Sequence, residues 1–390
     1  VTEPWRRTQD VDEAALGDVL LVHDPRSGLL HALNTGAALV WASLDEPGTS
    51  TDVVDRIVSA TGLTAPALAD EVRVGLHALA DQHLLAAGRA DQAEPTTPPR
   101  VDATPVAGVT PDHGPARGNT RLGPLDALGT LVTIDVPDDH AVRPVLDALV
   151  HGLHADPGVS KGTVARRYAL IPGDSDRLRL EVDGSQVRGD APTSRQLAHL
   201  LWHLNHTAIA DSAHRLVLHA GAVSGPSASV ALAGLPDAGK STLTAALVQR
   251  GLGYVTDEAL AVDATGALTR YAKPLSLDDD ACRRLGIDPN EARAGHLAPT
   301  DLGSIAGSPP DLVAVILPDL TRPFHATDLQ VALEPVEAAL ALAPCTFGLA
   351  QRRQAGLDAL VELVELVPVF ALGTADLSVA VEAVRAMVTD

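Results

Sequence analysis

Residues 234–241 read Gly-Leu-Pro-Asp-Ala-Gly-Lys-Ser, a complete G-x-x-x-x-G-K-[ST] loop. Before it runs an apolar stretch, Ser229 to Ala233. After it, Lys240 to Arg250 places Leu243, Ala246 and Leu247 on one helical face. This order of strand, glycine loop and helix leaves few architectures open. Such a loop holds phosphate because backbone N–H groups of the loop and the helix N-terminus converge on the anion. It needs a strand to deliver it and a helix to close it, so the expectation is an α/β layered domain. The chain has only three lysines, Lys161, Lys240 and Lys273; every other fixed positive side chain is arginine. One of the three stands where a triphosphate needs a compact ammonium on a thin stem.

The loop residues Gly234, Leu235, Pro236, Asp237, Ala238, Gly239, Lys240, Ser241 and Thr242 are therefore read as the ATP-phosphate site. Lys240 would reach the β- and γ-phosphates, and the Ser241 hydroxyl would ligate Mg²⁺. Asp237 is read as solvated or on the metal side. Sixteen residues beyond Ser241 comes the pair Asp257-Glu258, after the run Gly253-Tyr-Val-Thr. Two carboxylates at a strand end suit metal ligation or acceptance of a substrate proton, as phosphoryl transfer requires; a solvated turn is the equal alternative. His219, on the apolar run Leu216 to Val223, reads as a satisfied core residue more readily than as a functional one. Lys273 reads as a phosphate contact or a surface charge.

Composition narrows the partners. The chain carries a formal net charge of -21, against the basic surface that nucleic acid or an anionic membrane would require. No apolar run is long enough to span a bilayer. Two cysteines, Cys282 and Cys345, make no disulfide framework and read as small buried apolar residues. A cytoplasmic protein is expected.

Four segments follow from pattern. Residues 1–88 show a strand over Asp18 to Asp24, a turn at Pro25-Arg-Ser-Gly28, and a hairpin partner over Leu29 to Leu33. Three helices should follow: Thr35 to Leu44, one capped by Ser50, and one capped by Thr64 with Pro66 in its first turn. Residues 89–120 hold Pro95, Pro98, Pro99, Pro105, Pro111 and Pro115 and read as an extended linker. Residues 121–214 alternate strand-like runs with a helix near Ser194 to Ala210, and show no motif. Residues 215–390 carry the loop and complete the α/β layers.

The ordered set Leu218-His219-Ala220-Gly-Ala-Val, Gly234 to Thr242, Tyr254-Val-Thr-Asp257-Glu258 and Lys273-Pro-Leu-Ser-Leu277 resembles the HPr kinase/phosphorylase superfamily, in its HPr-kinase-related branch. The resemblance covers roughly 195–375. It implies an ATP- and Mg²⁺-dependent kinase on a mixed sheet, with Asp257 as the base facing the acceptor hydroxyl, Glu258 on the metal side with Ser241, and His219 orienting the carboxylate. The chain departs from HPr kinases at Thr242, where they carry Glu, and at Glu258, where they carry Asp. HPr as substrate and the reverse phosphorolysis are left open. Residues 1–88 resemble PqqD-type domains, small α+β winged-helix-like modules, on the run Gly28 to Trp41 and a third helix closing over Leu76 to Leu85. That likeness implies capture of a leader peptide as a strand added to the hairpin edge. A DNA-binding winged helix is disfavoured, because residues 1–90 carry six Arg and no Lys against thirteen acidic residues.

Together these readings give an expectation of a kinase that phosphorylates a hydroxyl on a leader-bound ribosomal precursor peptide. The alternatives are an ATP-binding peptide chaperone or scaffold without turnover, and a kinase of a carrier protein or small molecule. Homo-oligomerisation is left open.

Overall fold

The computed structural model describes residues 4–62, 65–87, 115, 118–155, 164–174, 176–293, 295–319, 330–373 and 376–389. Nearly all of the linker expected over 89–120, together with Lys161 and Thr64, lies outside the described residues. The chain divides into two compact units. One takes the described residues up to 87 together with 334–344 and 349–362; the other takes the remainder.

The first unit begins with β1 (Trp5–Arg7), β2 (Asp12–Leu16), β3 (Val19–Asp24) and β4 (Leu29–Leu33). Strands β2, β3 and β4 form an antiparallel sheet in that order. Helices α1 (Thr35–Ala42), α2 (Ser50–Thr61) and α3 (Ala65–Asp81) follow, then β5 (Leu85–Ala87), which pairs with β1. Helix α2 is capped by Thr49 rather than Ser50. The Thr49 hydroxyl accepts from the Asp52 N–H while Asp52 accepts from the Thr49 N–H, a reciprocal box that outcompetes the single cap read from sequence. The third helix ends at Asp81 and does not run to Leu85, because the chain turns there and Leu85 enters a strand. Val53 and Ile57 of α2 and Val72, Leu76 and Leu79 of α3 close on the fully buried Trp41. These are the helical spacings visible in the sequence.

The second unit opens with β6 (Asn119–Ala127), β7 (Thr130–Pro137), α4 (Val142–Val150) and a 3-10 turn at His151–Leu153. β8 (Arg166–Pro172), β9 (Arg177–Val182), β10 (Ser185–Pro192) and α5 (Thr193–Asp211) follow. Among the described residues β10-β9-β8-β7-β6 is one five-stranded sheet. The larger sheet begins with β11 (Leu216–Ser224) and β12 (Ser229–Ala233). Next come α6 (Lys240–Gln249), β13 (Gly253–Thr256), β14 (Ala259–Val262), β15 (Leu268–Thr269), β16 (Leu275–Ser276), α7 (Asp279–Leu285), β17 (His296–Leu297), α8 (Pro299–Leu302), β18 (Leu312–Asp319) and β19 (Gln330–Ala332). The chain closes with α9 (Pro335–Leu342), α10 (Leu349–Leu366), β20 (Val369–Gly373) and α11 (Leu377–Thr389). The strand order is β15-β14-β11-β12-β18-β20-β19, with β13 also pairing β11. β12, β18 and β20 run parallel and β11 is antiparallel to β12, so the sheet is mixed. The fold class is therefore mixed α/β.

The segment 121–214 shares its core with this sheet. Leu146, Leu149, Tyr168, Leu200 and Leu204 belong to one apolar cluster with Val217, Ala259, Ala261 and Tyr271. Gly152 marks how closely the two parts approach: a Cβ there would lie 2.6 Å from the Ala272 carbonyl oxygen. Two stretches of the segment read as the C-terminal domain belong instead to the first unit. Helix α9 lies against β4, and the start of α10 clasps β2. The Gln354 amide accepts from the Glu13 N–H at 3.1 Å and donates to the Glu13 carbonyl at 2.7 Å. Arg353 pairs with Asp12 at 3.1 Å and Asp10 at 3.0 Å. Nothing in the spacing of 334–362 signals these partners.

Candidate active site

β12 ends at Ala233 and delivers the glycine loop to the N-terminus of α6, the arrangement read from the sequence. Gly239 takes φ 84°, a left-handed turn that glycine adopts without Cβ strain. Asp237 takes φ 64°, uncommon for a residue with a side chain, and is exposed to solvent. Leu235 is exposed, while Gly234 is buried. Lys240 is buried, and its Nζ donates to the Leu235 carbonyl 2.8 Å away, so the ammonium lies back across its own loop. Burial lowers its pKa; the nearby Asp257, Asp237 and Glu258 oppose that shift.

β13 carries the acidic pair to the same place. Asp257 is buried, and the Ser241 hydroxyl donates to its carboxylate, yet Oδ1 has no partner. Burial pushes its pKa up to about 6, although Lys273, Ser241 and Lys240 pull the other way. Glu258 faces Lys273, whose Nζ is 3.0 Å from its Oε2, and it accepts from the Asn205 side chain. Burial alone would raise the Glu258 pKa, but Lys273 holds it below the usual carboxylate range. Lys273 is buried and also donates to the Pro274 carbonyl at 3.0 Å. The antiparallel register of β11 and β14 sets His219 opposite Ala259, beside Glu258. Burial lowers the His219 pKa, reinforced by Lys240, and the ring rests 5.3 Å from that of Phe347.

Two cavities meet at the loop, sharing Asp237, Lys240, Ser241 and Ser276. The first, about 440 Å³, holds His219, Asp257, Glu258, Lys273 and Pro236, and adds Asn205, Tyr271 and Trp202. The second, about 570 Å³, takes in Gly239, Thr242, Leu277 and Arg284. Predicted residues Asp257, Glu258, His219, Lys240, Ser241 and Lys273 thus line one space, and Thr242 lies on the other side of the loop. Among the described residues no group of three or more His, Cys, Asp or Glu side chains is arranged to hold a metal ion. The oxygen donors at the loop, the Ser241 hydroxyl and the Glu258 carboxylate, are of the kind that Mg²⁺ takes, one or two protein oxygens beside substrate phosphates. Cys282 and Cys345 are both buried, as read from the sequence. Among the described residues no helix is long and apolar enough to cross a membrane.

Sequence reasoning passed over the wall that 121–214 contributes. Leu153, Leu201, Trp202, Leu204 and Asn205 all line the first cavity, and all but Leu153 stand on α5. A signal was present: Asn205 falls on the apolar stripe Leu197, Leu201, Leu204 and Ala208, where a polar residue needs a reason.

Two proteins are among the solved structures that the chain is similar to. The Hpr(Ser) kinase/phosphatase from Coxiella burnetii is 12% identical over 44% of this chain and 95% of its own, with a TM-score of 0.24. TbiB1, solved in complex with the TbiA(beta) leader peptide, is 26% identical over 22% of this chain and 99% of its own, with a TM-score of 0.19. No curated protein matches the chain. In the first unit, residues 20–85 match the family model for coenzyme PQQ synthesis protein D (PqqD), the family that the run from Gly28 to Trp41 resembles.

Proposed function

We propose that the second unit transfers the γ-phosphoryl group of ATP to a hydroxyl, and that the acceptor lies on a ribosomal precursor peptide whose leader is held by the first unit. One observation carries this reading. Lys240, Ser241 and a buried, half-unbonded Asp257 line a single cavity at the mouth of a strand–loop–helix. In this reading the loop N–H groups and Lys240 bind the triphosphate. Ser241 would hold Mg²⁺, which gathers charge on the phosphate oxygens when bound. Glu258, already paired with Lys273, stands beside it. Asp257 Oδ1 accepts the proton of the acceptor hydroxyl. The acceptor oxygen bonds to the γ-phosphorus as the bond to the β–γ bridging oxygen breaks, and ADP leaves with that electron pair. His219 and Lys273 fix the acidic pair rather than touch the reacting atoms.

The PqqD match over 20–85 supports leader capture. A strand can add only where a ladder edge is open. β2 is already engaged at Glu13 by Gln354, so the leader is assigned to the β4 edge of the hairpin, where it must make room beside α9, which lies against that strand. The test is mass spectrometry of a candidate precursor incubated with ATP, Mg²⁺ and the protein. A phosphate mass added by wild type and absent with Asp257→Asn, which still binds MgATP, supports the kinase. A variant that supports peptide maturation as well as wild type identifies a scaffold instead.

A further inference from the structure

Three buried polar atoms without partners line the first cavity or belong to residues that do: Asp257 Oδ1, Asn205 Oδ1 and Tyr271 Oη. Unpaired buried polar atoms are costly, and several around one cavity point to a polar ligand that completes them. Their chemistry restricts that ligand. Asn205 is more than nine-tenths buried, and its side-chain N–H is committed to Glu258, so its free atom can only be the carbonyl oxygen, an acceptor. Asp257 Oδ1 is also an acceptor, while Tyr271 can donate. The ligand must therefore bring two donors and an acceptor close together. A hydroxyl, its own amide N–H and a neighbouring carbonyl meet that requirement.

The cavity mouth adds a second demand. Trp202 is 58% exposed, the most exposed of the large apolar residues that line this space. It is held in place by His199 and His206, three residues before and four after it on α5, with near-parallel rings at centroid distances of 5.6 and 5.3 Å. Leu153, Leu201 and Leu204 continue the apolar wall inward. A braced, exposed indole over an apolar wall covers an apolar neighbour of whatever enters. The space, about 440 Å³, suits an inserted segment rather than the face of a folded domain.

Resting on the kinase reading above, we infer that Asn205, Tyr271 and Trp202 form an acceptor subsite for a serine or threonine on an extended peptide. Asn205 takes the amide N–H of the reacting residue, Tyr271 donates to an adjacent carbonyl, and Trp202 covers an apolar side chain beside it.

The experiment uses the full chain, MgATP and a synthetic peptide library with one fixed serine or threonine between randomised positions. Wild type should select apolar or aromatic neighbours, and Trp202→Ala should lose that selection while Trp202→Phe keeps it. For the best peptide, N-methylation of the acceptor residue removes the amide N–H. It should raise KM about tenfold for wild type and change little for Asn205→Ala, whose KM is already raised by about that factor. The affinity for MgATP, read by calorimetry, should stay within about threefold for the two Trp202 variants. Equal N-methylation penalties in wild type and Asn205→Ala, no neighbour selection, or free serine and glycerol serving as well as peptide would overturn the subsite alone. A wild-type protein that binds MgATP but phosphorylates no library member overturns the kinase reading, and the subsite with it.

Discussion

Burial pushes the Asp257 carboxyl up to about 6 from an ordinary value of 3.8, even with Lys273, Ser241 and Lys240 favouring its charge. The linkage has a definite sign. Below the unfolded value the group is protonated in both states and costs nothing; between 3.8 and about 6 the unfolded carboxyl ionises while the buried one keeps its proton, and stability is lost until both are ionised. The loss amounts to about 3 kcal/mol at neutral pH. Asp257→Asn removes that charge, so at about pH 7.5, above the value at which the wild-type carboxyl ionises, the variant is expected to melt no lower than wild type. Turnover should fall by about 10²–10⁴, the usual contribution of a positioned base. Parallel thermal melts and phosphate-transfer assays check both halves, and a variant that is both less stable and fully active would contradict the assignment. For wild type the base must be ionised, so kcat/KM should fall about tenfold per pH unit below about 6.

At the scale of elements, the site depends on the corner between α4 and β8 pressing on the stretch between β15 and β16. Gly152 has no room for a side chain: a Cβ would lie 2.6 Å from the Ala272 oxygen and 2.9 Å from Ile305 Cδ1. Gly152→Ala must push the corner outward or displace Ala272, whose neighbours Tyr271 and Lys273 line the cavity. A loss of about 1–3 kcal/mol is expected, seen as a lower urea midpoint, together with weaker turnover. A variant matching wild type in both would show that the close approach is not a constraint. In the first unit α9 lies against β4, the edge proposed for the leader. Leader addition there should change amide-exchange protection in 335–342 as well as in 29–33. Exchange confined to 12–16 would place the peptide on β2 instead.

For the molecule as a whole, joining a recognition domain to a catalytic domain changes the effective concentration of substrate rather than its intrinsic fit. A core peptide attached to its leader should be phosphorylated with a KM about 10²–10⁴ lower than the same core alone, at similar kcat. Steady-state kinetics on the two peptides measures this directly. Equal KM values would mean that the first unit does not recruit the acceptor, and would favour a kinase of a free molecule or carrier.

Much of this was legible locally. The loop from Gly234 to Ser241, the strand before it, the helix after it and the stripe on α3 are all written in short-range spacing, because helices, strands and glycine turns are decided by residues a few positions apart. The capping of α2 and the end of the third helix were misplaced by a few positions, since local competitors such as the Thr49–Asp52 box differ by little energy. The aromatic and polar wall on α5 could not be read as part of a site. Asn205 and Trp202 are meaningful only because the β10-to-β6 sheet and its helix pack on the larger sheet, which brings them into one cavity with residues from His219 to His296, 14–94 positions further on. The Gln354 clasp on β2 likewise joins residues 341 positions apart. Periodicity carries no record of contacts over such distances; only close packing of the folded chain decides them.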